Sequence, residues 1–465
     1  MKSTLPVLEA ASTLTGPGLS RRAFLELSAG GLVASWYLSA PRDAFAQSAA
    51  AAVTTRSTAR NCIFVFLPGA PSQVDTWDLK EGSWTPADFQ PTSYGPVRFP
   101  QGLLPKIAGH LGDISIVRSL RSHALVHPLG QTWMQIARNP TGATGAIAPH
   151  MGAVVARELD GRRGPADVLP TFIALNTGTN IVGSGYFPST FSPFSVQPAT
   201  QPDQGLPSMT HPDGAVTFDR WWADLQSIDA ALRAGAPLGK DGSDAVGFYE
   251  QAHTMMKASD VNQLFSYSAD DSLRYGGTTF GNSCVVARKL LAGRRGARFI
   301  QVTLTGWDMH NNIYGAQGTS LNTLAPQLDS ALGALIDDLR AAPGETAASL
   351  FDETLILVAG EFGLTVGPLN GGAGRDHFAV NSALFAGGGV KGGRVIGATS
   401  ADGSAVTASG VPGRSDLAVE DFVSTVYSAM GIDWTTSLTP TPVGRPFEYV
   451  PYAIDGSYGP IDGLF

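Results

Sequence analysis

The residues of this chain best equipped for chemistry sit in short, glycine-bounded segments. Asp308 and His310 stand two apart in Gly306-Trp307-Asp308-Met309-His310-Asn311-Asn312, so in an extended segment both side chains point the same way. A carboxylate and an imidazole that share a direction are donor types of a zinc or manganese site. Glu361 follows Gly360, and a glycine-rich loop then leads to Arg375-Asp376-His377, which sets a guanidinium, an oxygen ligand and an imidazole side by side. Asp75 and Asp78 lie beyond Pro68-Gly69, where Ser72-x-x-Asp75 also reads as a helix-capping pattern. His123 and His127 complete the set. Pro128 places His127 at a helix boundary, and it is the stronger candidate of the two. With eight histidines in the chain, their coincidence with these acids points to a site.

The elements that must position these groups are buried strands. Cys62 to Leu67, Ala297 to Leu304 and Thr354 to Ala359 are apolar or β-branched runs of the kind covered on both faces. Each is followed within a few residues by glycine and an acid. Ligands of open α/β sheets bind beyond the carboxyl ends of the strands, so the pattern predicts that Asp75, Asp308 and Glu361 converge on one sheet edge. Ile114 to Val117 and Leu169 to Leu175 read as further strands. Shorter strands are expected at Ala383 to Ala386 and Arg394 to Gly397. Ile147 to Leu159 reads as a helix. Leu328, Leu332, Leu335, Ile336 and Leu339 form one helical stripe, and Val419 to Met430 another, both assigned to packing. From 176 to 218 the periodicity fades into a loop-rich segment, expected as a cap or insertion on a single domain over 61–465.

Composition excludes some functions. The formal net charge of −8 lacks the basic footprint that nucleic acid demands. Cys62 and Cys284 are the two cysteines; both read as core residues, with a disulfide the lesser alternative, and no cluster supports iron–sulfur or haem binding. No G-x-G-x-x-G follows the first strand, which disfavours a dinucleotide. Residues 1–46 read as a twin-arginine export signal: Ser20-Arg21-Arg22-Ala23-Phe24-Leu25, a short apolar stretch broken by Gly30 and Gly31, and Ala44-Phe45-Ala46 as a cleavage site. Residues 47–60 read as a flexible linker. The expectation is a periplasmic or extracellular protein with no stable membrane insertion after cleavage.

GAPSQVDTWD, GWDMHNN, GEFG, GRDH and GGGVKGGRVIGAT together resemble an uncharacterised bacterial family of twin-arginine-exported proteins, grouped with the alkaline phosphatase/sulfatase superfamily. The resemblance implies a three-layer α/β/α sandwich with a mixed, largely parallel sheet. It also implies one or two divalent ions held by Asp75, Asp308, His310, Glu361, Asp376 and His377, with zinc or manganese favoured and calcium an alternative. His127 and Arg375 would be catalytic, moving protons and holding the anion. The implied activity is metal-dependent hydrolysis of phosphate or sulfate esters, small or polymer-borne; the competing reading is a catalytically inactive secreted binding protein. A second exported protein is the implied partner. Two departures stand out. The superfamily's hydroxyl nucleophile has no clear counterpart, leaving Thr132 or Ser122 as substitutes, and the family's GEFGRTP is altered, with Leu364 for arginine and Val366 for proline.

Overall fold

Strand β1, Asn61–Phe66, is buried along its whole length, as a strand covered on both faces must be. Its side chains alternate between two cores: Ile63 and Val65 face one, and Cys62, Phe64 and Phe66 face the other. The computed structural model describes residues 53–465 apart from 179, 208 and 231–238. The expected export signal and residues 47–52 lie outside the described residues. Of the rest of the expected linker, Ser57 and Ala59 donate backbone hydrogen bonds to Ser428 and Ala429, and Arg60 to Glu353.

The other strands of the central sheet are β2 Ile114–Arg121, β3 Phe172–Leu175, β4 Phe194–Val196, β5 Phe299–Thr303, β6 Thr354–Ala359, β7 Val380–Ala386 and β8 Arg394–Ile396. Their order is β8-β2-β7-β6-β1-β5-β3-β4. β1 pairs in parallel with both β5 and β6, β3 with β5 and β4, and β8 with β2. β7 is antiparallel to β2 and β6, so it alone runs against the rest. The sheet is therefore mixed and largely parallel, as expected. β4 lies in the segment expected as a cap and extends the sheet at its edge.

Helices cover both faces. We label α1 His127–Ile136, α2 Met151–Asp160, α3 Gly214–Ile228, α4 Gly239–Lys257, α5 Thr279–Ala292, α6 Leu321–Ala341 and α7 Val419–Ala429. α5 and α6 pack on the Ile63 side, where Leu328, Leu332, Leu335, Ile336 and Leu339 are buried as their stripe predicts. α2 and α7 pack on the Phe64 side. Cys62 and Cys284 belong to opposite cores and are free, buried thiols, and burial pushes both pKa values above the ordinary range. Among the described residues no helix is long and apolar enough to cross a membrane.

α2 begins later than expected because His150 caps it. The ring Nδ1 accepts from Gly152 N at 2.8 Å, and Nε2 donates to Gln301 Oε1 at 2.9 Å. The ring packs on Phe172 and Phe299 and is fully buried. Desolvation, opposed by the hydrogen bond with Gln301, lowers its pKa to about 3. The folded state thus keeps His150 neutral while the unfolded chain protonates it below about pH 6.5. Stability from this residue is complete above that pH and is lost as pH falls toward 3, at no more than ~1.4 kcal/mol per pH unit. His150→Asn, which preserves a capping oxygen, should be less stable at pH 7.5, and its deficit should shrink toward pH 5. Urea unfolding at both pH values checks this; a constant deficit contradicts it.

Candidate metal centre

The in-register ends of β1, β5 and β6 deliver the acids. Phe66 pairs with Thr303 on one side and Ala359 on the other, so Gly69, Asp308 and Glu361 emerge from neighbouring strand ends. Gly69 sits at φ +109°, and a Cβ there would lie 2.4 Å from Asp308 N. Only glycine lets the two segments approach this closely. Gly374 does the same where its loop crosses His310, with 2.1 Å from an added Cβ to the His310 carbonyl carbon.

His127, Asp308, His310 and His377 each point one ligand atom inward, and these atoms lie within 4.8 Å of one another. His127 is the first residue of α1, with Pro128 behind it as the boundary reading requires. His377 is presented by a two-residue antiparallel ladder in which it pairs with Leu364. Gln73 grips Leu364 through both of its backbone groups at 2.8 Å, and the leucine side chain is buried in the core. That burial accounts for an apolar residue at this position.

The outer nitrogens fix the rings. His127 Nδ1 lies 2.7 Å from Glu361 Oε1, His310 Nδ1 2.9 Å from Asp376 Oδ1, and His377 Nδ1 2.7 Å from the Leu125 carbonyl. Each partner is an acceptor only, so each Nδ1 carries a proton, and in the neutral rings each Nε2 presents a lone pair inward. His310 Nε2 and His377 Nε2 then face each other at 3.0 Å. His310 Nε2 is also 3.0 Å from Asp308 Oδ1. His127 Nε2 is buried without a hydrogen-bond partner, although Asp308 Oδ2 lies 3.2 Å away. Converging lone pairs and a carboxylate repel unless a cation sits among them. Three imidazoles and one carboxylate are also a donor set suited to a tetrahedral divalent ion, so the residues present fit a metal.

Glu361 and Asp376, expected as ligands, stand behind the rings. Glu361 Oε1 accepts from Gly69 N at 2.9 Å and Gln131 Nε2 at 3.1 Å. That bonded carboxylate raises the pKa of His127, with burial opposing and Asp308 adding. Asp376 is held by His310 and Asn370, which lower its pKa in that order. Gln131 and Asn370 escaped the sequence reading. Asn370 carries a loop signal only, yet its Oδ1 accepts from Gly372 and Gly374 N, both at 2.9 Å.

Two expected site residues are elsewhere engaged. Asp75, read as a metal ligand, and Arg375, read as an anion clamp, form a buried bidentate pair at 2.7 and 3.0 Å. Arg375 has no exposed side-chain surface, and Nη1 donates to the Thr365 and Gly367 carbonyls. Tyr314 OH and Ser72 Oγ donate to Asp75, so the capping serine binds the aspartate itself. The pair is complete and leaves no donor for a substrate. His123 is displaced too: it stacks near Trp133 and lies 3.9 Å from Glu420. Thr132 Oγ1 donates to Pro128 O and Ser122 Oγ to Ala124 O, so both substitute nucleophiles are held by nearby carbonyls.

A cavity of about 300 Å3 opens beside His127 and Asp308, and its polar lining includes Gln131, Thr177, Asn180, Gln301, Thr303 and Thr305. Among the described lining residues none is arginine or lysine. Asp75→Asn should cost about 3–5 kcal/mol, because it strands the buried guanidinium, while the cluster's metal content stays at the wild-type level. Urea unfolding with metal analysis of the folded variant checks this; metal loss at unchanged stability would return Asp75 to the ligand set.

Among solved structures, the chain is similar to a protein of the alkaline phosphatase superfamily from Vibrio parahaemolyticus, at 11% identity over 85% of this chain and 72% of that one, TM-score 0.38. It is similar to the PsFucS1 sulfatase from Pseudoalteromonas sp. at 12% identity, 81% and 68% coverage, TM-score 0.38. For the C-terminal periplasmic domain of EcEptC from Escherichia coli, in complex with zinc, the figures are 10%, 86%, 96% and 0.37. These likenesses are too distant to carry a function across. No curated protein matches the chain. The model of a family described as "Protein of unknown function" spans residues 59–455, almost the whole of the described chain, and the protein therefore belongs to the DUF1501 family.

Proposed function

We propose that this protein is an exported, metal-dependent hydrolase of phosphate or sulfate esters, with His127, Asp308, His310 and His377 as the metal ligands. The observation that carries the reading is the fixed direction of three imidazole Nε2 lone pairs toward Asp308, each ring held from behind by an oxygen acceptor. Three nitrogens and one oxygen suit zinc best and manganese next; calcium prefers oxygen alone. When bound, such an ion supplies Lewis acidity and lowers the pKa of water.

The chain's own residues set the geometry. Glu361 orients His127, Asp376 orients His310, and the Leu125 carbonyl orients His377. In this reading His127 and His377 are ligands and do not shuttle protons. Gln131 joins Glu361 to the cavity wall, and the neutral amides and hydroxyls of that wall would bind the uncharged part of an ester. The twin-arginine pattern and the family resemblance support export. The competing reading, a catalytically inactive secreted binding protein, is favoured by the consumed Arg375 and by the absence of arginine and lysine among the described cavity residues.

Purified protein should contain about one equivalent of zinc or manganese by elemental analysis, and Asp308→Ala should contain none. Glu361→Gln should keep the fold and lose about 10- to 100-fold in metal affinity. Turnover of aryl phosphate or sulfate esters, abolished by Asp308→Ala, supports the hydrolase; full metal occupancy with no turnover across the panel supports the inactive binder. Substrate charge gives a second expectation. Glu361, Asp308 and Asp376 contribute three negative charges and a divalent ion two positive ones, so a dianionic ester meets repulsion that no guanidinium offsets. Aryl sulfates and phosphodiesters should turn over faster than aryl phosphate monoesters, and the reverse order would contradict this charge balance.

A further inference from the structure

We propose a second anion site at the opposite end of the sheet, specific for a phosphate or sulfate group. A cavity of about 280 Å3 is lined by Arg60, Arg162, Arg163 and Arg298. Arg60 immediately precedes β1 and Arg298 immediately precedes β5, so the cavity lies at the amino ends of these strands, opposite the sheet edge from which Asp308 and His310 emerge.

The positive charge there is incompletely met. Glu345 pairs with Arg60 at 2.7 Å and with Arg298 at 3.2 Å, and Asp167 is the acid in the lining, its Oδ2 accepting from Gly164 N. Arg163 is fixed by bonds to Thr171 Oγ1 and to the Asp167 and Leu169 carbonyls, which orient its guanidinium without neutralising it. Arg60 Nε is buried and has no hydrogen-bond partner. Arg162 makes no side-chain hydrogen bond or ion pair among the described residues. Four guanidiniums against two carboxylates, in a chain of net charge −8, repel one another unless an anion is shared. The planar forks of arginine match the tetrahedral oxygens of phosphate and sulfate, and they bind them in bidentate fashion. The ligand is therefore a phosphate or sulfate group, free or carried on a polymer.

Isothermal titration of the full chain with inorganic phosphate and with sulfate, against sodium chloride of equal ionic strength, tests the site. The Asp308→Ala variant serves as host, so that the metal centre cannot take up the anion. One equivalent should bind, and Arg162→Glu, a change at an exposed and unpaired side chain, should weaken it by about tenfold or more. Arg298→Gln, checked for folding by circular dichroism, should weaken it as well. Dextran sulfate binding more tightly than inorganic sulfate, with uncharged dextran inert, would identify a polymer-borne group; equal affinity per sulfate would identify the free ion. No binding beyond the chloride control, or equal affinity in Arg162→Glu and its parent, overturns the proposal. Neither result depends on whether the metal centre hydrolyses esters.

Discussion

The candidate centre depends on the parallel, in-register pairing of β1 with β5 and β6. Adjacent strands lie ~4.8 Å apart, so three chain segments distant in sequence leave the sheet within about 10 Å of one another. Phe66 opposite both Thr303 and Ala359 sets that level. A one-residue slip of β5 or β6 would exchange their two core faces, burying the wrong set of side chains on each side. The register is thus enforced by both cores at once, far from the side chains whose spacing it determines. α1 then adds His127 from outside the three strands, and the His377 ladder adds the last ring.

Hydrogen-bond accounting separates the acids that this edge collects. Asp75 is saturated: Arg375 meets both oxygens, with Tyr314 and Ser72 adding one bond each. A buried charge with every lone pair satisfied has no capacity left for a ligand. Asp308 differs, since its neighbours are imidazole nitrogens whose protons point away. Burial alone would have ranked them the other way, with Asp75 nearly inaccessible and Asp308 44% exposed. What distinguishes the two acids is the direction of the surrounding protons.

Much of this was legible in the sequence. Buried strands announced themselves by continuous apolar runs, and β1, β5 and β6 lie where those runs fall. The nearness of Asp308 to His310 followed from their two-residue spacing, and Pro128 marked His127 as a helix start. The roles of Asp75 and Arg375 were not legible. An acid beyond a strand end has the same local pattern whether its partner is a metal or a guanidinium 300 positions away, and only the fold brings Arg375 to it. The division of Glu361 and Asp376 from the inner cluster was hidden for a related reason: an imidazole between carboxylate and cluster is a matter of tertiary distance. Gln131 and Asn370 carry no signal of their own. Their amides act through single hydrogen bonds to residues that themselves had to be found first.

Strand direction also sorts charge. Because every strand of the sheet except β7 runs the same way, the chain entering β1 and β5 lies at one end and the chain leaving them at the other. Arg60 and Arg298 are entry residues, while Asp308 and Glu361 follow exits. Counter-charge is incomplete at each end: the acids gather around imidazole nitrogens, and the four guanidiniums outnumber Glu345 and Asp167, the carboxylates beside them. Salt bridges between the two ends are precluded by the length of the strands, since five or six residues at about 3.3 Å each hold them well beyond a Debye length of ~8–10 Å. The proposed cation at one end and the proposed anion at the other would each supply that balance from outside the chain.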